Sequence, residues 1–130
     1  MAIPKDYRFT KTHEWVKLDG DVATIGITDF AQGELGDITY IELPGVGAEL
    51  RQSEPFGVVE SVKAASDVYA PVSGEVVEEN ADAVNTPEVV NSSPFKDAWL
   101  LKIRLSDPAQ VDALLSADDY EKLVAESGGH

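Results

Sequence analysis

Apolar and polar residues alternate on both sides of Asp19-Gly20, from Glu14 to Leu18 and from Asp21 to Ile27. Two such runs joined by a dipeptide that tolerates positive φ predict a β-hairpin. Short runs of the same kind recur down the chain. Asp37 to Leu43 reads as a strand, Pro55 to Val62 and Val68 to Val77 as two more rich in Val, and Trp99, Leu101, Ile103 and Leu105 alternate in a last one. Pro44-Gly45-Val46-Gly47 is turn material. Helical signals are brief. Thr28 caps a stretch over Asp29 to Leu35 that turns Phe30, Ala31 and Leu35 inward and ends at Gly36. Thr86-Pro87 begins another, closed by Ser92-Ser93-Pro94. In the tail, Asp107-Pro108-Ala109-Gln110 has the form of a capping box, and Ser116 with Asp119 repeats the signal before a stripe of Tyr120, Leu123 and Val124 that Gly128-Gly129 stops. The pattern predicts a mostly β fold, a small sandwich or barrel with short helices and a C-terminal helical segment, and shows no doubly wound α/β alternation.

With 130 residues, 43% of them hydrophobic, the chain suits one core, so residues 1–130 are expected to form a single domain. Ten basic against 24 acidic residues give a net charge of -14, which repels phosphate backbones and anionic lipid headgroups. Nucleic acid and membrane surfaces are therefore not expected partners, whereas basic patches on other proteins are. Met1 to Asp6 carry neither the apolar stretch of a signal peptide nor an Arg-rich transit helix, and no apolar run is long enough to span a bilayer. The expected compartment is the bacterial cytoplasm, or the mitochondrial matrix for a processed eukaryotic form.

Chemistry of the chain's own is sparse. No cysteine is present, which removes disulfides, thiolate metal sites and a catalytic thiol. His13 and His130 are the only histidines; without ligand spacing they read as a surface side chain and a tail residue, so no metal site is expected. There is no Gly-x-Ser-x-Gly elbow, and Gly33, Gly36, Gly45 and Gly47 fit no phosphate loop. Glu78-Glu79 and Asp118-Asp119 are adjacencies expected by chance among 24 acids, while Glu14 and Asp67, each near a strand end among polar residues, stay open. Lys63 stands apart. It falls between two Val-rich strands, followed by Ala64, Ala65 and Ser66, so its stem can extend from a tight hairpin where an enclosing enzyme could modify the amine. An ordinary solvated lysine would look the same in composition.

The residues from Gly57 to Val76, reading Gly-Val-Val-Glu-Ser-Val-Lys-Ala-Ala-Ser-Asp-Val-Tyr-Ala-Pro-Val-Ser-Gly-Glu-Val, resemble without a gap the lipoylation segment of glycine cleavage system H proteins. Three further segments resemble the same family in order and spacing: His13 to Val16, Gly26 to Gln32 with Leu35-Gly36-Asp37, and Val90 to Phe95 with Trp99-Leu100. Lys96-Asp97-Ala98 departs from the acidic residue and Gly that members often carry there, which bears on a local turn.

The resemblance implies a lipoyl/biotinyl-type flattened β-barrel sandwich of two antiparallel sheets, and lipoate in amide linkage to Lys63, supplying the thiols the chain lacks. It implies a carrier without catalysis of its own. A pyridoxal-phosphate glycine decarboxylase would load the aminomethyl group of glycine, a tetrahydrofolate-dependent aminomethyltransferase would unload it, and a FAD-containing dihydrolipoyl dehydrogenase would take the electrons. Lipoylating enzymes would be further partners, with Glu60 resembling the acidic position they read. Glu14 and Asp67, with Thr12 contributing, match positions near a cleft that would shelter the loaded arm. Gly57 and Gly74 are expected to serve tight backbone geometry. Three other readings remain: a lipoyl relay to other carriers, an unmodified noncatalytic binding module, and a biotinyl domain, which would place Met where Val62 and Ala64 stand.

Overall fold

The computed structural model describes residues 3–127. Its nine strands are β1 (Arg8–Phe9), β2 (Glu14–Asp19), β3 (Val22–Ile27), β4 (Ile38–Glu42), β5 (Glu49–Leu50), β6 (Pro55–Ser61), β7 (Ala65–Tyr69), β8 (Gly74–Glu79) and β9 (Leu101–Leu105). The helices are α1 (Asp29–Leu35), α2 (Ala81–Asn85), α3 (Val89–Ser92), α4 (Ala109–Asp112) and α5 (Ala117–Ser127). A six-stranded antiparallel sheet, ordered β1-β2-β3-β9-β8-β5, faces a three-stranded one, β4-β6-β7. Between them lies the main core, built from Val16, Ile25, Ile41, Val59, Val68, Val76 and Ile103 among others. A second cluster of Phe9, Trp15, Phe95, Ala117 and Tyr120 lies where α5 covers the outer face of β2. That cover explains why Trp15 and Val16, which point to opposite faces, are both buried.

The two antiparallel sheets are as expected, but they are not closed into a barrel: among the described residues no ladder joins them. Their edges are occupied by other groups. Phe9 and Leu115 exchange backbone hydrogen bonds at 2.9 and 2.8 Å along the β1 edge. The Ile38 N–H at the start of β4 donates to Asn91 Oδ1, and the Tyr69 N–H at the end of β7 donates to Glu14 Oε2. An edge amide already satisfied by a side chain offers nothing to a neighbouring strand.

Several expectations shift in detail. The β2–β3 register pairs Asp19 with Val22, so the two-residue turn is Gly20-Asp21, with Gly20 at φ 64. The stretch from Val68 to Val77 is not one strand; β7 and β8 lie in different sheets, separated at Ala70-Pro71-Val72-Ser73, where Pro71 has no N–H to give a ladder. Thr28 caps α1 as expected, accepting from the Ala31 N–H at 3.2 Å, with Gly36 past the end at φ 82. Thr86 instead ends α2, a helix the sequence did not announce, and α3 starts after Pro87. The Asp107 half of the capping box forms, accepting from the Ala109 N–H, but Gln110 turns away and accepts from the Ser73 N–H at 2.7 Å. Ser116 Oγ accepts from the Asp119 N–H, starting α5. Gly128-Gly129 and His130 lie outside the described residues.

Gly57 and Gly74 do serve close backbone approach. A Cβ at Gly57 would lie 2.4 Å from the Glu42 carbonyl oxygen, and one at Gly74 2.2 Å from that of Arg104.

His13 is not a simple surface residue. It is half-buried at φ 73, its ring 4.6 Å from that of Phe30 and its Nδ1 2.7 Å from Tyr120 Oη, which also shares a 2.7 Å hydrogen bond with Thr28 Oγ1. The triad ties α5 to the N-terminal cap of α1. Burial pushes the Tyr120 hydroxyl up to about 12 and the His13 imidazole below its usual value, the latter opposed by Glu34. Between pH 10 and 12 the unfolded chain has lost the Tyr120 proton that the folded chain keeps, so stability should fall as pH rises through that window. Urea unfolding of wild type and Tyr120→Phe, compared from pH 9 to pH 12, checks this: the variant should lack that part of the decline, and parallel curves would refute it.

Candidate functional site

Register pairs β6 with β7 from Pro55↔Tyr69 to Glu60↔Ala65, leaving Ser61 to Ala64 to turn the chain. Ser61 closes the tip from within. Its N–H donates to the Ala64 carbonyl at 2.8 Å, and its Oγ accepts from the N–H groups of Lys63 and Ala64 at 3.1 and 3.2 Å. From outside, the Asp37 carbonyl accepts the Val62 N–H at 3.0 Å. Lys63 is exposed at this tip, and Val62 beside it is 68% exposed. The lysine stem passes Gly36, where a Cβ would come within 3.2 Å of Lys63 Cε, and Nζ makes one long contact, 3.4 Å to the Glu34 carbonyl. Among the described residues Lys63 has no ion-pair partner. A held hairpin thus presents a nearly unencumbered amine between Val62 and the small Ala64 and Ala65, which fits an acyl group attached at Nζ.

Glu60 lies on the outer face of β6, exposed, between Tyr40 on β4 and Ala65 on β7. Three residues from the lysine on a rigid strand, it can be read by an enzyme that encloses the tip.

Thr12 and Glu14 come together elsewhere. Glu14 is 2% exposed and accepts hydrogen bonds from Thr10 Oγ1 at 2.6 Å, from Thr12 Oγ1, and from the Tyr69 N–H at 3.1 Å. Burial raises its carboxyl above the usual range, opposed by these bonds. Thr12 and Tyr69 also line a cleft of about 390 Å³ whose other walls include Phe9, Ser53, Pro71 and Leu114. Glu14 lies behind that wall. Asp67, two residues before Tyr69 on the same face of β7, is exposed and outside the cleft lining. A strand rise of about 3.3 Å per residue sets Tyr69 about 13 Å along β7 from Ala65, with Lys63 beyond that end in the turn. Among the described residues no cluster of His, Cys, Asp and Glu could hold a metal.

Over residues 7–127 the sequence matches the family described as glycine cleavage H-protein. The chain belongs to the glycine cleavage H-protein family. It is 56% identical over 127 residues to a glycine cleavage system H protein of Carboxydothermus hydrogenoformans, covering 98% of each chain. To that of Staphylococcus carnosus it is 53% identical over 126 residues, covering 97% of this chain and 100% of the relative. The crystal structure of a glycine cleavage system H protein from Mycobacterium marinum superposes with a TM-score of 0.85 at 35% identity, covering 97% of this chain and 99% of that one. H-protein membership and the two-sheet fold therefore agree.

Parts of the candidate site left no sequence signal. Thr10, Gln52 and Ser53 line the cleft, and Ser53 sits at φ 73, yet none carries a motif of its own. The Tyr69 amide reaches Glu14 across 55 residues, a pairing that only the fold creates.

Proposed function

We propose that this chain is the noncatalytic lipoylated carrier of the glycine cleavage system, the whole of residues 1–130 acting as one carrier domain with lipoate in amide linkage to Nζ of Lys63. The observation that carries this reading is Lys63 itself, exposed on a hairpin that is otherwise held by five hydrogen bonds, its amine bonded among the described residues to the Glu34 carbonyl alone. Lipoate would supply the sulfur and redox chemistry that a chain without cysteine lacks. The chain's contribution is placement. A rigid tip projects the attachment point into partner active sites, while tethering keeps the carried group at millimolar effective concentration rather than free. The partners are the glycine decarboxylase, the aminomethyltransferase, the dihydrolipoyl dehydrogenase and the lipoylating enzymes, the last reading Glu60. Among the described residues no helix is long and apolar enough to cross a membrane, and the relatives named above are bacterial, which supports action in a bacterial cytoplasm.

Intact mass of protein expressed with lipoate available, with peptide mapping, tests the reading. One lipoyl amide at Lys63, absent from Lys63→Ala, is expected. An unmodified wild type from cells that lipoylate other domains would overturn it.

The cleft beside Thr12 is the proposed shelter for the loaded arm, with Glu14 and Asp67 supplying negative charge to a cationic amine and the apolar wall excluding water. Glu14→Ala should act twice. The half-buried Tyr69 amide and Thr10 hydroxyl lose their acceptor, at up to about 1–3 kcal/mol for each group left unsatisfied, while the exposed Thr12 hydroxyl can turn to water, and the carried group should be lost to hydrolysis faster. Asp67→Ala, at an exposed position, should speed that loss without the stability cost. Unchanged decay in both variants, followed by mass over time, would remove the acidic residues from the role.

A further inference from the structure

Asn91, in α3, belongs to neither the cleft nor the hairpin, yet its carboxamide is fully committed. Its Nδ2 donates to Gln32 Oε1 at 2.7 Å and to the Gly36 carbonyl at 2.9 Å, while its Oδ1 accepts the Ile38 N–H at 2.9 Å. The orientation is not ambiguous: Gln32 Nε2 donates to Asp29 Oδ1 at 2.8 Å, so the Gln32 oxygen faces Asn91 and calls for a donor there. Asn91 therefore bonds to residues on both sides of Asp37, and the Asp37 carbonyl is the group that accepts the Val62 N–H. Lys63 follows directly, with its stem over Gly36 and its amine toward Glu34 at the end of α1. The first residue of β4, Ile38, also pairs with Ser61, the residue that closes the tip.

We propose that Asn91 is a positioning residue for the acylation of Lys63, clamping the Gly36–Ile38 corner that sets the hairpin tip. The inference rests on the reading that Lys63 is lipoylated. In that step the neutral Nζ attacks the acyl carbon of an activated lipoate, supplied as the acyl adenylate. The amide C–N bond forms, AMP leaves and the amine gives up a proton. The modifying enzyme must find the amine at a defined height and angle above the sheet, and misplacement by about 1 Å can cost up to a hundredfold in rate. Ser61 holds the tip's internal shape, while the Val62–Asp37 bond and the adjoining ladder set the direction of its backbone relative to α1.

Asn91→Ala removes the three bonds, and Asn91→Asp keeps the shape but replaces both donors by an acceptor facing two oxygens. Each variant, unmodified, is presented to a lipoate–protein ligase with lipoate and ATP, and Val62 amide exchange is measured by NMR on the same samples. Val111→Ala, a core substitution in α4 away from the corner, serves as the destabilised reference. The expected result is a kcat/KM for lipoylation reduced about ten- to a hundredfold, with faster Val62 exchange, in both Asn91 variants at a temperature where they remain folded, and neither effect in Val111→Ala. Wild-type kinetics and wild-type Val62 exchange in the Asn91 variants, or equal losses in Val111→Ala, would overturn the proposal. Exchange at Val62 needs no lipoate, so the clamp is tested even if Lys63 proves not to be the modified residue. Failure of wild type to accept lipoate would overturn the carrier reading instead.

Discussion

Lys63→Arg is expected to give a folded protein that accepts no lipoate and supports no glycine-dependent release of carbon dioxide when combined with the other components of the system. The drop should be about a thousandfold or more, because in the proposed carrier every step depends on one covalent attachment and a free arm in solution cannot match a tethered one. Arginine keeps the positive charge and most of the stem, so the tip should survive: its hydrogen bonds run through backbone groups and Ser61 Oγ. What arginine lacks is an amine that can lose a proton and form an amide. Far-UV circular dichroism and melting temperature should match wild type. Substantial glycine-dependent turnover by a folded Lys63→Arg protein would remove the carrier mechanism and leave an acidic docking module as the better reading.

How much of this was open to inspection in the sequence depends on whether the relevant physics is local. The β2–β3 hairpin, the Thr28 cap and the Gly36 stop follow from side chains acting on their own neighbours, and they stand where they were expected, apart from a one-residue shift of the turn. The lysine hairpin was legible in part: β6 stands where it was expected, but β7 begins at Ala65, three residues before the Val-rich run that marked it. Passage from one sheet to the other was not. Val68, Ala70, Val72 and Val76 are all buried, so the two-residue burial period runs on through a segment whose hydrogen-bond partners change completely. Ala70 bonds to Glu54, Ser53 to Ala70, and Ser73 to Ser106 and Gln110. Periodicity reports which side faces the core, not which strand lies alongside. β1 and β5, two residues each, fall below the length at which any pattern exists.

The same distinction separates the site's two halves. Lys63 announces itself by contrast with small neighbours, whereas Glu14 acquires its character from Thr10, Thr12 and the distant Tyr69 amide. Asn91 occurs in a segment that marks the family, yet its importance appears only when Gln32, Gly36 and Ile38 are seen around it.

Gly74→Ala should produce the largest loss of stability among single-methyl additions, about 3 kcal/mol or more. At Gly26 a new Cβ would lie 2.5 Å from Trp15, a side chain that can shift, although its indole N–H is held by the Ile27 and Pro94 carbonyls. At Gly74 the obstacle is the Arg104 carbonyl oxygen, 2.2 Å away, with the Arg104 carbonyl carbon at 2.9 Å and Ile103 Cδ1 at 3.2 Å. Gly74 opens β8, and backbone paired on both sides has no rotamer to change. Gly74 pairs with Leu105 on one side and Leu50 on the other, so relief requires β8 to separate from β9 or to slip in register, and slipping would turn Val76 out of the core. Urea unfolding measures the cost, and a loss below about 1 kcal/mol would show that the two strands part more easily than their ladder implies. Below its lowered melting temperature the variant should still accept lipoate at Lys63 at the wild-type rate. The tip is held by Ser61, Asp37 and the Asn91 corner, none of which touches Gly74, so the position that costs the fold most should leave the attachment point as it was.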